Sequence, residues 1–250
     1  MKTLIVTLSC LLCMTNIAAQ TDSVSIMWGN RPRIVVPVDT KISNKQFNMN
    51  RLHHSLSLAV PIAAVGFTMM PADHAIRERV VNGMSGFHTK IDDYIQYAPL
   101  AAQLGMSLGG VKGRSKSRWQ VLATDAMAAA MMAAVVNGMK YGINRTRPNG
   151  DNASFPSGHT ATAFTGATLL AHEYGSRSVW IPIAGYTVAT ASGVMRILNN
   201  RHYVSDVVVG AAVGILSAEL AYWATDAIFN DRKLQKSHRK TMRNNIVKNY

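Results

Sequence analysis

Residues 140–159 read KYGINRTRPNGDNASFPSGH, a polar connection between two long apolar stretches of the chain. The four residues from Pro156 to His159 have the composition of a helix start, because serine is a common N-cap and glycine leaves the first backbone amides accessible. Such a start can serve only as a cap, or it can hold an anion on its free amides at the positive end of the helix dipole. The sequence around it distinguishes the two.

Apolar stretches dominate the chain after its first 55 residues. Most of them are longer than a strand and rich in Ala, Leu and Met, which favours helices. The sequence therefore predicts an all-α fold, a helical bundle of about five or six apolar helices with the functional loops at one end. The stretches are 56–71, 94–111, 119–139, 158–174, 178–198 and 203–229.

The composition changes along the chain predict four regions. Residues 1–19 have a lysine, an apolar run and then small residues, which is the layout of a secretory signal peptide. Residues 20–55 form a polar N-terminal arm, 56–230 the helical domain and 231–250 a basic C-terminal tail. Both cysteines, Cys10 and Cys13, lie in the signal, so a cleaved chain would have no disulfide and no cysteine metal site.

The chain is strongly basic, with 26 Lys and Arg against 13 Asp and Glu. The positive charge is concentrated in residues 111–119 and in the tail, which have few aromatic side chains to stack on bases. This placement favours charge flanking membrane segments and argues against a nucleic-acid partner. Asp125, Glu219 and Asp226 interrupt the apolar stretches, so a soluble exported helical core is the alternative to membrane embedding.

The basic loops also predict an orientation. Lys112 to Arg118 and the tail should face the cytoplasm, with 140–157 and 196–206 outside. A cleaved signal and a cytoplasmic C-terminus together require an odd number of spans. The stretch 56–71 is the shortest and contains Pro61, so we expect a peripheral helix there; if it spans the bilayer, either the signal or the orientation is wrong.

Both outward connections contain residues suited to phosphate chemistry. The second, residues 193–206, reads GVMRILNNRHYVSD. A phosphoryl group in transfer spreads negative charge over its oxygens, which needs several fixed cations and backbone donors. Lys140, Arg147 and Arg196 supply the cations, and Ser157 and Gly158 open the helix that supplies the amides.

His202 and Asp206 are four residues apart and therefore share one face of a helix. An aspartate bonded to one imidazole nitrogen fixes the tautomer and leaves the other nitrogen as a base or nucleophile. Taken alone, such a pair can equally be structural. Metal binding is not favoured, because a cluster of further ligands is missing and Asp92 and Asp93 are isolated in sequence.

Together these motifs resemble the type-2 phosphatidic acid phosphatase and vanadium haloperoxidase superfamily, in its membrane-associated bacterial lipid phosphatase branch. The shared pattern is Lys, six residues, Arg-Pro; then Pro-Ser-Gly-His; then Arg, five residues, His, three residues, Asp. The family has a serine before the last arginine, and here Met195 takes its place and removes a hydroxyl near the phosphate. The resemblance covers the helical core from about residue 90 to 230.

The resemblance implies a role for each matching residue. His202 would attack phosphorus and form a phosphohistidine, Asp206 would orient its ring, and His159 would protonate the leaving oxygen and later activate water. No metal and no cofactor is implied. The phosphate oxygens would be held by Lys140, Arg147, Ser157, Gly158 and Arg196.

The implied function is hydrolysis of a lipid-linked phosphate at the outer face of the inner membrane, with the membrane and a lipid phosphate as the partners. The candidate substrates are phosphatidate, phosphatidylglycerol phosphate, an isoprenyl diphosphate and lipid A phosphate. The alternatives are a soluble periplasmic acid phosphatase of the same superfamily, a vanadium-dependent haloperoxidase and a membrane protein whose site has decayed. The intact set of motif residues argues against decay.

Overall fold

The computed structural model describes residues 56–84 and 86–248, so the predicted signal segment and polar arm lie outside the described residues. All regular structure within these residues is helical, which confirms the predicted all-α class. The helices are α1 (56–69), α2 (Asp73–Gly83), α3 (Asp92–Ile95), α4 (Ala98–Leu108), α5 (Arg118–Ile143), α6 (Gly158–Tyr174), α7 (Trp180–Leu198) and α8 (Val204–Lys248). A 3-10 turn, Met70–Ala72, joins α1 to α2.

Helix α6 lies at the centre of the bundle and packs against α4, α5, α7 and α8. It is built mainly from small and hydroxylated residues, and most of them are buried. Their hydroxyls stay satisfied within the helix, as where Thr165 and Thr168 donate to the carbonyls of Ala161 and Phe164, both at 2.8 Å. The small side chains let the neighbouring helices approach closely.

The bundle has two chemically different ends. Loops 144–157 and 199–203 meet at one end, called the motif end below, where the amide of Ser157 donates to the carbonyl of Asp206 at 2.9 Å. Loop 109–117 lies at the other end, called the basic end, where the amide of Arg114 donates to the carbonyl of Glu173 at 2.9 Å. The helices between the two ends thus bring both sequence motifs to one face of the molecule.

Four helical segments are long and apolar enough to cross a membrane: Leu56–Gly83, Arg118–Ile143, Trp180–Leu198 and Val204–Phe229. The first is longer than the short helix expected at 56–71, whereas the expectation that this segment is peripheral stays a prediction. The described helix includes Pro61, and the helical path continues through Met70–Ala72 to Gly83.

Two other apolar stretches differ from the prediction. The stretch 94–111 contains only the 11 residues of α4, preceded by the separate short helix α3. Helix α6 has the predicted bounds, and 11 of its 17 residues are buried. Hydrophobicity alone does not separate a lipid-facing helix from a helix at the centre of a bundle, because both are apolar on all sides.

Candidate active site

The imidazole of His202 lies in the loop before α8, beside a carboxylate of the first turn of that helix. His202 and Asp206 are both buried, with 3% and 0% of their surface exposed. Nδ1 of His202 lies 3.5 Å from Oδ2 of Asp206, slightly beyond hydrogen-bond length, and has no closer partner among the described residues. Because Nδ1 faces the carboxylate, Nε2 is the ring nitrogen left for chemistry.

Asp206 is held by three groups from the two loops of the motif end. Its Oδ2 accepts the amide of Tyr203 at 2.9 Å, as in a helix capping box, and also the hydroxyl of Ser154. Its Oδ1 accepts Nη1 of Arg145 at 3.1 Å. A buried carboxylate without partners would be strongly destabilising, so these contacts stabilise Asp206 and fix it in place.

Arg145 connects the carboxylate of Asp206 to a second buried acid, Asp73. Its Nη2 donates to Asp73 at 2.9 Å, its Nη1 donates to the hydroxyl of Ser205 at 2.8 Å, and its guanidinium stacks 4.3 Å from the ring centre of Tyr203. Asp73 also accepts the amide of Ser205 at 3.1 Å. Neither Arg145 nor Asp73 belongs to the sequence motifs, and no local spacing marks them.

The predicted cations are gathered at the motif end. Lys140 donates to the carbonyl of Ala153 at 2.6 Å, and Arg147 donates to the carbonyl of Asn152 at 3.2 Å. Arg196 is 6% exposed, and its Nε has no hydrogen-bond partner among the described residues. Burial, and after it the positive charge of Arg196, lower the pKa of Arg147.

The start of α6 is a capped helix terminus. The hydroxyl of Ser157 is fully buried and accepts the amide and the hydroxyl of Thr160 at 3.4 and 2.9 Å. A Cβ added to Gly158 would lie 3.7 Å from Val136 and 4.0 Å from Lys140, which is ordinary contact. Packing therefore does not require glycine there, and the space beside its backbone faces the Lys140 side chain.

His159 is paired with a carboxylate that the sequence analysis did not include. Its Nε2 lies 2.9 Å from Oδ1 of Asp93, and Nη1 of Arg196 lies 3.4 Å from the same oxygen. Asp92 is 1% exposed and accepts Nη1 of Arg196 at 2.6 Å. Asp92 and Asp93 are isolated in the sequence, and the packing of α3 against α7 brings them to the site.

Burial and neighbouring charges shift the pKa values of Asp92 and His202. Burial alone would raise the pKa of Asp92, but the hydrogen bond and charge of Arg196 and the hydrogen bond of Asn199 hold it below its ordinary value. Burial lowers the pKa of His202 to about 4, although the facing carboxylate of Asp206 opposes this. His202 is therefore neutral near pH 7, as a nucleophile must be.

The structure thus brings His202 into contact with Asp206 and links His159 to Arg196 through Asp93. Arg196 and Arg147 are the cations whose charge acts on His202. Lys140 lies at Gly158, and Ser157 serves as the cap of α6. Residues 56–84 and 86–248 contain no group of three His, Cys, Asp or Glu side chains that could hold a metal ion.

Known proteins resemble this chain in sequence. Residues 122–229 match the PAP2 superfamily. A protein of Porphyromonas gingivalis named lipid A 1-phosphatase is 50% identical over 204 residues, covering 79% of this chain and 45% of that protein. The bacitracin transport permease protein BcrC of Bacillus licheniformis is 28% identical over 127 residues, covering 51% of this chain and 53% of that protein. The chain thus spans about half the length of these curated relatives.

A solved structure extends the likeness to the fold. The first transmembrane PAP2 type phosphatidylglycerolphosphate phosphatase from Bacillus subtilis has a TM-score of 0.53 and 20% identity to this chain, covering 71% of this chain and 97% of that one. The helical bundle predicted from the sequence is therefore the fold of a transmembrane PAP2 protein.

Proposed function

Since residues 122–229 of this chain match the PAP2 superfamily, we propose that the protein is a phosphatase that removes a phosphate group from a lipid. The observation that carries this proposal is the convergence of His202, Asp206, His159, Arg147 and Arg196 at the motif end of the bundle. A neutral buried imidazole surrounded by fixed cations suits attack on a phosphate anion, because the cations neutralise the charge that would otherwise repel the nucleophile.

In the proposed first step, Nε2 of His202 attacks phosphorus. A P–N bond forms while the P–O bond to the leaving group breaks, and His159 gives a proton to the departing oxygen. Asp206 stabilises the imidazolium that results, since its carboxylate faces Nδ1 at 3.5 Å. In the second step, His159 takes a proton from water, the oxygen of that water bonds to phosphorus, and the P–N bond breaks to release inorganic phosphate.

The proposed phosphate cradle consists of side-chain cations and backbone amides. Lys140, Arg147 and Arg196 come from three different elements, and the free amides at the start of α6 add the positive end of a helix dipole. These groups can do the charge neutralisation that a divalent metal does in other phosphatases. We therefore propose that the reaction proceeds without a metal.

The substrate candidates remain the four phosphorylated lipids named above, and lipid A phosphate is the first to test because of the name of the Porphyromonas relative. We place the protein in the inner membrane with the motif end facing the periplasm. The four long apolar helices support the membrane location over a soluble acid phosphatase, and the basic loop 109–117 at the opposite end supports the orientation.

Trapping the phosphoenzyme tests the mechanism with two variants. His159→Ala keeps the nucleophile but lacks the group that activates water, so it should release a burst of nitrophenol from an aryl phosphate, retain labelled phosphate on the protein and turn over slowly. His202→Ala should give no burst and lose at least about a thousandfold in kcat. His172→Asn, which changes a histidine of α6 far from the motif end, is the control.

A folded His202→Ala protein that still releases phosphate at a near-normal rate would contradict the nucleophile assignment. Complete loss of wild-type activity in EDTA, restored by a divalent ion, would contradict the metal-free reaction. Bromide oxidation in the presence of vanadate, without phosphate release from any lipid, would favour a haloperoxidase.

A further inference from the structure

A polar cavity of about 190 Å³ has Arg196 of the proposed phosphate cradle in its wall, whereas His159, His202 and Asp206 do not line it. Its walls are the loop before α3, the carboxylates of α3, the C-terminal end of α7 and Arg201. All eight side chains that line it are polar or charged. An acyl chain in this space would leave these groups without hydrogen-bond partners, so the cavity suits a hydroxylated ligand.

The cavity is held in shape by one amide side chain. Asn199 accepts the amide of Thr89 and donates to the carbonyl of Thr89, both at 2.9 Å, and it also donates to Asp92 at 3.0 Å. Asp92 in turn accepts Arg196 at 2.6 Å. The loop before α3 is therefore fixed to the end of α7, which makes this a preformed site rather than a gap between mobile loops.

Asp93 shows which part of a substrate would enter this cavity. Oδ1 of Asp93 lies 2.9 Å from Nε2 of His159. It therefore marks the place of an oxygen atom that is hydrogen-bonded to this nitrogen. If His159 protonates the leaving oxygen, that oxygen must take a place at Nε2 next to Asp93. Because Asp93 lines the cavity, the atoms beyond the leaving oxygen extend into it.

The lining offers both kinds of hydrogen-bonding partner that sugar hydroxyls use. Asp93 accepts hydrogen bonds, whereas Lys90 and Arg201 donate them, and a hydroxyl can do both. A different surface suits acyl chains, because the outer face of α7 carries Ile183, Tyr186 and Val194 in an open apolar groove. Helix α7 contributes to both surfaces, through Arg196 to the cavity and through Val194 to the groove, so one glycolipid molecule could use them together.

We propose that this cavity, the sugar pocket, binds the sugar ring that carries the scissile phosphate, and that the enzyme prefers a phosphate on a sugar to one on an acylglycerol. The proposal rests on the phosphatase function proposed above, because His159 marks the leaving-group side only if it acts as the acid. It adds Lys90 and Arg201 as residues that select the leaving group.

The experiment compares two lipids in the same detergent micelles, an acylated glucosamine 1-phosphate and phosphatidate. The wild type should have the higher kcat/KM for the sugar lipid. Lys90→Ala and Arg201→Ala should each lower the ratio of the two kcat/KM values by roughly tenfold, the effect of losing a hydrogen bond to a charged group. The ratio is the right measure because the loss of a positive charge weakens attraction for both anionic lipids alike.

Lys112→Ala removes an exposed lysine at the basic end and should leave the ratio unchanged. As a second measurement, glucosamine 1-phosphate should inhibit the wild type more strongly than glycerol 3-phosphate, and this preference should disappear in the Lys90 and Arg201 variants.

Equal kcat/KM losses for both lipids in these variants, or no change in either, would overturn the sugar pocket while leaving the phosphatase intact. A wild type that releases phosphate from neither lipid nor from the aryl phosphate would instead overturn the proposed function itself.

Discussion

At the scale of single residues, the catalytic pair depends on a charged side chain that is not part of any motif. Asp206 and Asp73 are both completely or almost completely buried, and Arg145 donates to both. One guanidinium thus supplies positive charge and hydrogen bonds to both carboxylates. Because Arg145 fixes Asp206 beside His202, we regard Arg145 as a positioning residue.

Replacement of Arg145 by Met should lower kcat at least tenfold with a smaller effect on KM, because Asp206 would lose its charged partner while the phosphate cradle remained. The free energy of unfolding should also fall by about 3 kcal/mol, because a buried carboxylate would lose its partner, and this would be measured as a lower Tm. Arg145→Lys keeps the charge and should recover part of kcat. Arg177→Met, at the basic end, is the control. A Tm loss in Arg145→Met with normal kcat would make the residue purely structural.

The pKa of His202 gives a prediction for the pH profile. Burial disfavours the protonated ring and lowers its pKa to about 4, so the neutral nucleophile persists as the pH falls to about that value. At pH 5 about 90% of the rings should be neutral, against about 3% for a histidine of ordinary pKa. The ionisation of the aryl phosphate is titrated separately, and kcat/KM is corrected for it. The corrected kcat/KM should then fall on the acid side with a midpoint near pH 4. A midpoint near 6.5 would contradict this.

At the scale of elements, the contact between α6 and α8 aligns the two motifs. Gly210 and Gly214 of α8 have the small-residue spacing that permits close helix packing. A Cβ on Gly214 would lie 2.4 Å from the carbonyl oxygen of Ala161, and one on Gly210 would lie 2.6 Å from that of Ser157. The close approach holds the first turn of α8, with Asp206, beside the first turn of α6, with His159.

Gly214→Leu should therefore force the two helices apart and reduce both the Tm and the phosphatase rate, because the clash is with backbone atoms that cannot rotate away. Gly138→Leu is the matched control, since a Cβ there meets nothing within 4 Å, and it should behave like the wild type. The measurements are thermal unfolding in detergent and aryl phosphate turnover. Equal behaviour of the two variants would show that the close packing is not needed for the site.

At the scale of the whole molecule, exposed aromatic side chains lie near both ends of the bundle. Trp119 and Tyr141 are 78% and 84% exposed near opposite ends of α5. With a rise of 1.5 Å per residue they are about 33 Å apart along the helix axis, close to the thickness of the hydrocarbon core of a bilayer. Trp180 adds a second exposed indole at the start of α7. Such a pair of aromatic zones is typical of a membrane protein.

Topology follows from the same arrangement. Cysteines introduced at Asn149 in the motif end and at Lys112 in the basic end should face opposite sides of the membrane, in a background where Cys10 and Cys13 are replaced by serine. In spheroplasts, an impermeant maleimide should label the Asn149→Cys variant, and the Lys112→Cys variant only after lysis. The reverse pattern would place the active site on the cytoplasmic side.

Sequence alone predicted the all-α class, most of the helices and the motif residues, because these are local properties. Hydrophobic segments, capping residues such as Ser157 and the four-residue spacing of His202 and Asp206 can all be read within a few turns of chain. The bounds Trp180–Leu198 and Gly158–Tyr174 agree with the predicted 178–198 and 158–174 to within two residues. The family resemblance then assigned the roles, which the proposed experiments test.

Tertiary structure alone decided which distant side chains complete the site and which helices are surrounded by protein. Arg145 and Asp73 are 72 positions apart, and Asp92 and Arg196 are 104 apart, so no local pattern could pair them. Buried charges need partners, but sequence does not say where the fold will supply them. Likewise α6 is as apolar as its neighbours, and only packing made it the central helix, since its small residues let α4, α5, α7 and α8 close around it.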